Sequence, residues 1–219
     1  MSTSLSCTAI LFDLDGVLVD SRGVVERTWR RWAERHHVRE PELVRRAHGR
    51  RSVETVREVT PHLDATREVE WLAQAELADL EGVIALPGAV AMLNVLAGGE
   101  WAVVTSGGRE LARRRLAHCG LATPGVLVAA EDVLSGKPSP EGYLLAAKRL
   151  GVDASECVVV EDTPAGIESG RSARAKVVAL TTTFSALALT AADVVISSLA
   201  DLSVQRAHRG LRLSVPGRS

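Results

Sequence analysis

The chain has 219 residues, 46% of them hydrophobic and 24% charged, enough for one sizeable core plus a smaller inserted unit. With 26 Lys+Arg against 27 Asp+Glu the formal charge is -1, a balance that argues against nucleic acid or a membrane surface as partner. Cys7, Cys119 and Cys157 are odd in number and lack any CxxC pair, so neither a disulfide framework nor a zinc knuckle is expected. No charged stretch precedes an apolar run with a cleavage site, and no apolar run approaches a membrane span, so the cytoplasm is the expected location. Nothing in the sequence demands assembly, and a monomer is expected.

In chain order, the first strand is predicted over Thr8–Leu14. From about Ser21 to Glu81 no strand pattern appears. Val25, Trp29, Trp32 and His36 fall at helical spacing there, as do Val69, Leu72, Ala73, Glu76, Leu77 and Leu80. Trp29 and Trp32 are read as core. Gly82 and Leu86-Pro87-Gly88 mark a return to alternating elements. Helices are predicted over Gly88–Leu96, Glu110–His118, Pro140–Leu150 and Pro164–Ala173. They alternate with strands at Trp101–Ser106, Val126–Ala130, Cys157–Glu161, Lys176–Leu180 and Asp193–Ile196. Most of these strands are continuously apolar, as in a parallel sheet covered on both faces. Leu211–Val215 alternates like a short strand. Two arginine runs stand out, Arg45, Arg46, Arg50 and Arg51, and then Arg113, Arg114 and Arg115; the second is read as a solvated helix face. The expected fold is therefore α/β, a Rossmann-like parallel sheet with an inserted helical cap. The core would comprise residues 1–19 and 83–219, and the cap residues 20–82.

In an open parallel sheet, ligands bind at the carboxyl ends of the strands. The first strand ends in Asp13-Leu14-Asp15-Gly16 and the next in Thr105-Ser106-Gly107. The third leads to Lys137 and the fourth ends in Glu161-Asp162. Carboxylates alone make an all-oxygen site suited to a hard cation such as Mg²⁺. A carboxylate nucleophile facing a phosphate dianion needs that cation, with a lysine adding positive charge. Thr105 and nearby N–H groups can hold phosphoryl oxygens. A second aspartate two residues on can protonate the leaving oxygen and then activate water. Each element alone is weak evidence: a lone DxD is commonly a turn, and Glu161-Asp162 alone could cap a helix. Their strength lies in four such clusters, each following an apolar strand.

Asp13-Leu14-Asp15-Gly16-Val17-Leu18-Val19-Asp20 resembles the first motif of the haloacid dehalogenase-like hydrolases, and Thr105, Lys137 and Glu161-Asp162 match the next three in order. The resemblance runs from about Ala9 to Leu202. It implies Asp13 as nucleophile and metal ligand, and Asp15 as acid/base and backbone ligand. It further implies Thr105 on phosphate, Lys137 balancing charge, and Asp162 with Glu161 at the metal. His48-Gly49-Arg50-Arg51-Ser52, the stretch around Thr105-Ser106-Gly107, and Glu161-Asp162-Thr163-Pro164-Ala165-Gly166 are similar to sugar-phosphate and glycerol-phosphate phosphatases. The implied partner is a small phosphate monoester, held by Thr105, Ser106, Gly107 and Lys137 in the core and by His48, Gly49 and Arg51 in the cap. Arg50 and Arg51 are weighed between a solvated loop and substrate contact, with Arg51 favoured. The alternatives are a phosphoglycolate phosphatase, a β-phosphoglucomutase-like enzyme, or an inactive binding protein that keeps the fold. Val25 stands where the mutases carry a histidine, which disfavours the second; intact motifs disfavour the third. One departure is Ala173-Arg174-Ala175-Lys176, where such relatives often place a glycine before the fifth strand.

Overall fold

A computed structural model describes residues 3–39, 43, 47, 49–208 and 210–215. The chain opens with β1 (Thr3–Cys7) and β2 (Ala9–Phe12), passes the Asp13–Gly16 turn, and enters β3 (Val19–Asp20). Helices α1 (Arg22–Arg35), α2 (Ser52–Val59) and α3 (Ala65–Ala78) follow, then β4 (Ile84–Ala85) and α4 (Ala89–Val95). The alternating part continues as β5 (Trp101–Val104), α5 (Arg109–His118), β6 (Leu127–Val128), α6 (Glu141–Leu150), β7 (Cys157–Glu161) and α7 (Pro164–Ser172). It ends with β8 (Lys176–Leu180), β9 (Val194–Ile196), β10 (Ser203–Arg206) and β11 (Leu211–Val215).

Six strands form a parallel sheet in the order β6-β5-β2-β7-β8-β9. Strand side chains alternate faces, and the continuous apolar runs supply both. Ile10, Phe12, Val158, Val160, Val178 and Leu180 pack on one face. Ala9, Leu11, Val159, Val177 and Ala179 pack on the other, against Tyr143 and Ala146 of α6 and Ile167 of α7. The two-sided burial expected from the sequence is thus realised, as an α/β sheet carrying a helical cap.

The helices between β3 and β4 have their own core of Trp29, Trp32, Val56 and Leu72. Trp29 and Trp32 meet edge to face at 5.4 Å, and the Trp32 indole donates to Glu68 Oε2 at 2.8 Å. That bond satisfies the polar atom of a fully buried ring. Asp64 caps α3, accepting from the amides of Thr66 and Arg67. β3 and β4 pair antiparallel, Val19 opposite Ala85, so the chain leaves and re-enters the core side by side. β1, β11 and β10 form a second, antiparallel sheet. Of these only β11 was legible, because Ser4 and Ser6 dilute the β1 pattern.

The departure at Arg174 has a backbone consequence. Helix α7 ends in a Schellman arrangement, with Ala175 N donating to Gly170 O and Arg174 N to Arg171 O. Arg174 adopts φ 66° at the position where that motif favours glycine. Its side chain is exposed, so little packing is at stake. Arg174→Gly should stabilise the protein by about 1 kcal/mol through relief of left-handed strain. A denaturant midpoint that falls or does not move would contradict this.

Candidate active site

Register brings the strand ends together. Phe12 lies opposite both Val103 of β5 and Val160 of β7. Asp13, Thr105 and Glu161-Asp162 therefore emerge along one edge of the sheet, and the loop after β6 adds Lys137. Asp13, Thr105, Lys137, Glu161 and Asp162 are all buried.

Lys137 Nζ donates to Asp13 Oδ1 at 2.7 Å and lies 2.6 Å from Glu161 Oε1. Tyr143 OH donates to the same Glu161 oxygen at 2.8 Å. Glu161 Oε2 accepts from the amides of Asp162 and Thr163 and from Thr163 Oγ1. Room for this carboxylate exists because residue 166 is glycine: a Cβ there would stand 1.8 Å from Glu161 Oε1. Glu161 was expected among the metal ligands, but both its oxygens are engaged by protein donors, which fits a supporting group.

The electrostatics are unbalanced. Burial raises the Asp13 carboxyl to about 7, with Lys137 opposing and Glu161 adding to the rise. Burial, then the charges of Glu161 and Asp13, push Asp162 well above the usual carboxylate range. Burial also disfavours charge on Glu161, yet Lys137 and its hydrogen bonds hold it below its ordinary value. Burial works against the Lys137 ammonium too, but Asp13 and Glu161 keep it firmly protonated. One ammonium among three carboxylates leaves an excess equal to one divalent cation. Carboxylate oxygens of Asp13, Glu161 and Asp162 lie within 4.8 Å of one another, and Asp162 Oδ1 is buried with no hydrogen-bond partner among the described residues. Gly16, at φ 84°, clears the space beside it, since a Cβ would come within 2.0 Å of Asp162 Oδ2. An orphaned oxygen in an all-oxygen donor set fits Mg²⁺.

Asp15 points away from this cluster, toward the cap. Ser21 Oγ donates to its Oδ1 at 2.6 Å, and Arg115 Nη1 donates to the same atom at 2.8 Å. Ser21 precedes α1 but makes no cap hydrogen bond there; its hydroxyl serves Asp15 instead. Thr105 Oγ1 accepts from Gly107 N at 3.0 Å, and Ser106 Oγ donates to Gly49 O at 2.9 Å. Gly49 has φ 74°, and a Cβ there would stand 2.7 Å from Thr163 Cγ2, so the cap meets the core backbone to side chain. Arg51 Nη1 reaches Leu134 O at 2.8 Å, and Glu54 accepts from Gly136 N, both on the Lys137 loop. Arg50 pairs with Glu58 at 2.9 Å. His48, Arg45 and Arg46 lie outside the described residues.

Between cap and core lies a cavity of about 400 Å³. Asp13, Asp15, Thr105 and Asp162 line its core side, and Trp29, Val69 and Glu76 its cap side. Asp13, Asp15, Thr105, Ser106, Gly107 and Asp162 thus share one chamber with Gly49, Arg50 and Arg51, while Lys137 and Glu161 lie behind its lining. One expectation fails. Arg115 is not on a solvated face but is 2% exposed, with Nη2 on Glu76 Oε2 at 2.6 Å. The signal was available, since Leu111, Ala112, Arg115 and Leu116 form the buried face of α5 whereas Arg113 and Arg114 do not. A carboxylate at position 76, on an otherwise apolar helical stripe, called for that buried cation. Tyr143 was also missed, its hydroxyl being invisible within an apolar helix pattern.

Residues 7–174 match the family model described as haloacid dehalogenase-like hydrolase. Hexitol phosphatase A of Escherichia coli strain K12 is 42% identical over 211 residues, covering 94% of this chain and 98% of that protein. Glycerol-1-phosphate phosphohydrolase 2 of Saccharomyces cerevisiae is 34% identical over 193 residues, covering 83% and 77%. A hydrolase from Pseudomonas syringae superposes with a TM-score of 0.81 at 29% identity, covering 89% of this chain and 95% of that one. Among the described residues no helix is long and apolar enough to cross a membrane.

Proposed function

Since the chain belongs to the haloacid dehalogenase-like hydrolase family, we propose that it is a Mg²⁺-dependent phosphatase of small sugar or polyol phosphates, working through an aspartyl phosphate on Asp13. The observation that carries the chemistry is the buried Asp13 carboxylate between Lys137 and the orphaned Asp162 oxygen, at the floor of a covered chamber. The near full-length identity to a hexitol phosphatase supports the substrate class.

Asp13 and Asp162, with the Asp15 backbone carbonyl, would hold Mg²⁺, and residues 20–82 would close over the leaving group. When bound, the cation offsets the repulsion between the carboxylates and the phosphoryl oxygens. Lys137 engages Asp13 Oδ1, so the other carboxylate oxygen is left to attack phosphorus. As the phosphorus–oxygen bond to the alcohol breaks, its electron pair stays on the leaving oxygen, which takes a proton from Asp15. The Asp15 carboxylate then removes a proton from water, whose oxygen bonds to phosphorus as the Asp13–phosphorus bond breaks and restores the carboxylate. Thr105 and the Ser106-Gly107 backbone hold the phosphoryl group, and Gly49 and Arg51 present the cap to the rest of the substrate. Val25 lines the chamber with an aliphatic side chain, which supplies no proton carrier for a mutase.

The test is turnover with Mg²⁺ across hexitol, glycerol, hexose, pentose and glycolate phosphates. Measurable hydrolysis of polyol or sugar esters above glycolate phosphate is expected; preference for glycolate phosphate, or no turnover of any ester, would refute the reading. Asp15→Asn should then slow polyol esters by roughly 10²–10⁴-fold and p-nitrophenyl phosphate far less, because nitrophenolate leaves without a proton. Equal fractional losses on both would make Asp15 chiefly a metal ligand.

A further inference from the structure

Arg115 is buried between two carboxylates that belong to different parts of the chain. Asp15 stands on the core loop after β2; Glu76 stands on α3 of the cap. Nη1 of the guanidinium reaches the first at 2.8 Å and Nη2 the second at 2.6 Å. Among the described residues the Nε of Arg115 is buried without a partner, and these two contacts anchor the head group. A guanidinium at 2% exposure is stable only while both anions stay close. If α3 lifts from α5, Glu76 leaves with it and the cation is only half compensated.

The pattern on Asp15 is one-sided. Ser21 and Arg115 both donate to Oδ1, and no described group donates to Oδ2. Two donors on one oxygen fix the carboxylate plane and leave the other oxygen to carry the proton. Glu76 holds the other end of the guanidinium and so fixes the donor that Asp15 Oδ1 accepts from.

We propose that Arg115, together with Glu76, is a positioning residue that aims Asp15 Oδ2 at the leaving oxygen, and does so only while α3 rests on α5. The proposal rests on the acid/base reading of Asp15 given above. It goes further in making proton transfer depend on a cap-to-core ion pair.

The test compares Arg115→Lys, Glu76→Gln and the paired Arg115→Met/Glu76→Leu variant, which leaves no lone buried charge opposite a missing partner within the pair. Three probes are used with Mg²⁺: glycerol phosphate, propyl phosphate and p-nitrophenyl phosphate. Propyl phosphate keeps an alkoxide leaving group but has no hydroxyls. The paired variant should lose about 10- to 100-fold in kcat on both alkyl esters, part of what a general acid supplies, and under about 3-fold on the aryl ester. Arg115→Lys should recover part of the loss, and Glu76→Gln should show the same pattern more weakly. Thermal unfolding establishes that each variant is folded, and Arg115→Lys carries the test if the paired variant is not. Equal losses on all three esters would reduce the pair to a structural role and overturn the proposal. A loss confined to glycerol phosphate would place the pair on substrate hydroxyls and overturn it too. So would unchanged kinetics in an enzyme whose Asp15→Asn variant shows the leaving-group pattern, with the phosphatase reading left standing. A wild-type protein that hydrolyses none of the probes overturns both.

Discussion

Asp13→Asn is expected to remove turnover by on the order of 10⁶-fold, the scale on which enzymes respond to loss of their nucleophile. An amide cannot form the acyl phosphate, yet it is nearly isosteric and its oxygen can still accept from Lys137 Nζ, now 2.7 Å from Asp13 Oδ1. Lys137 also keeps Glu161 at 2.6 Å. The substitution moreover lowers the buried charge excess, because two carboxylates rather than three then face one ammonium. The metal-free variant should therefore unfold at the same temperature as the wild type or higher. Appreciable kcat in the purified variant would end the assignment of Asp13. A variant that is inactive and also unfolded at room temperature would contradict the charge argument.

Removal of divalent cations should silence the wild-type enzyme as completely. Exhaustive chelation is expected to abolish turnover, and Mg²⁺ to restore it. Ca²⁺ should bind without supporting activity, since it takes more ligands at longer distances and would misplace the attacking carboxylate. A second readout is independent of catalysis. Mg²⁺ should raise the thermal midpoint by an amount equivalent to about 2.7 kcal/mol at a hundredfold excess over Kd. Asp162→Asn should lose most of that shift, because Asp162 offers the one buried carboxylate oxygen that nothing else satisfies among the described residues. Full activity in excess chelator, or an Asp162→Asn protein stabilised as strongly as wild type, would refute the metal site.

What was legible in the sequence depended on how far one residue could be understood from its chain neighbours. β7 and β8 fall on the residues expected, because an unbroken run such as Val158-Val159-Val160 has no alternative to burial on both faces. The motif residues were found because parallel strands must end at one edge, and the register of Phe12 with Val103 and Val160 then sets them side by side. β1, β3, β4 and β10 escaped notice because they are short or partly exposed, and the partners of the first three lie far along the chain. Arg115 was misjudged for a different reason. A run of three arginines looks like one surface when read along the chain, whereas a helix turns each of its members about 100° from the last. Ser21 stood at a helix start, where capping was the obvious role, and only the fold reveals Asp15 within its reach.

The glycines at the site carry a consequence for how this enzyme can change. Residue 166 has no functional group, yet any side chain there would collide with a Glu161 carboxylate that five donors hold in place and that cannot swing aside. A side chain at residue 16 would crowd Asp162 in turn, and the φ of 84° there is one that side chains rarely adopt. Mutational tolerance at these two positions is therefore set by the room the carboxylates need. The cap side of the chamber, where Trp29 and Val69 stand, has no such backbone clamp on the Asp13 cluster. New substrate preferences can arise there by single substitutions, while the floor of the chamber admits almost none, even where it has no side chain to lose.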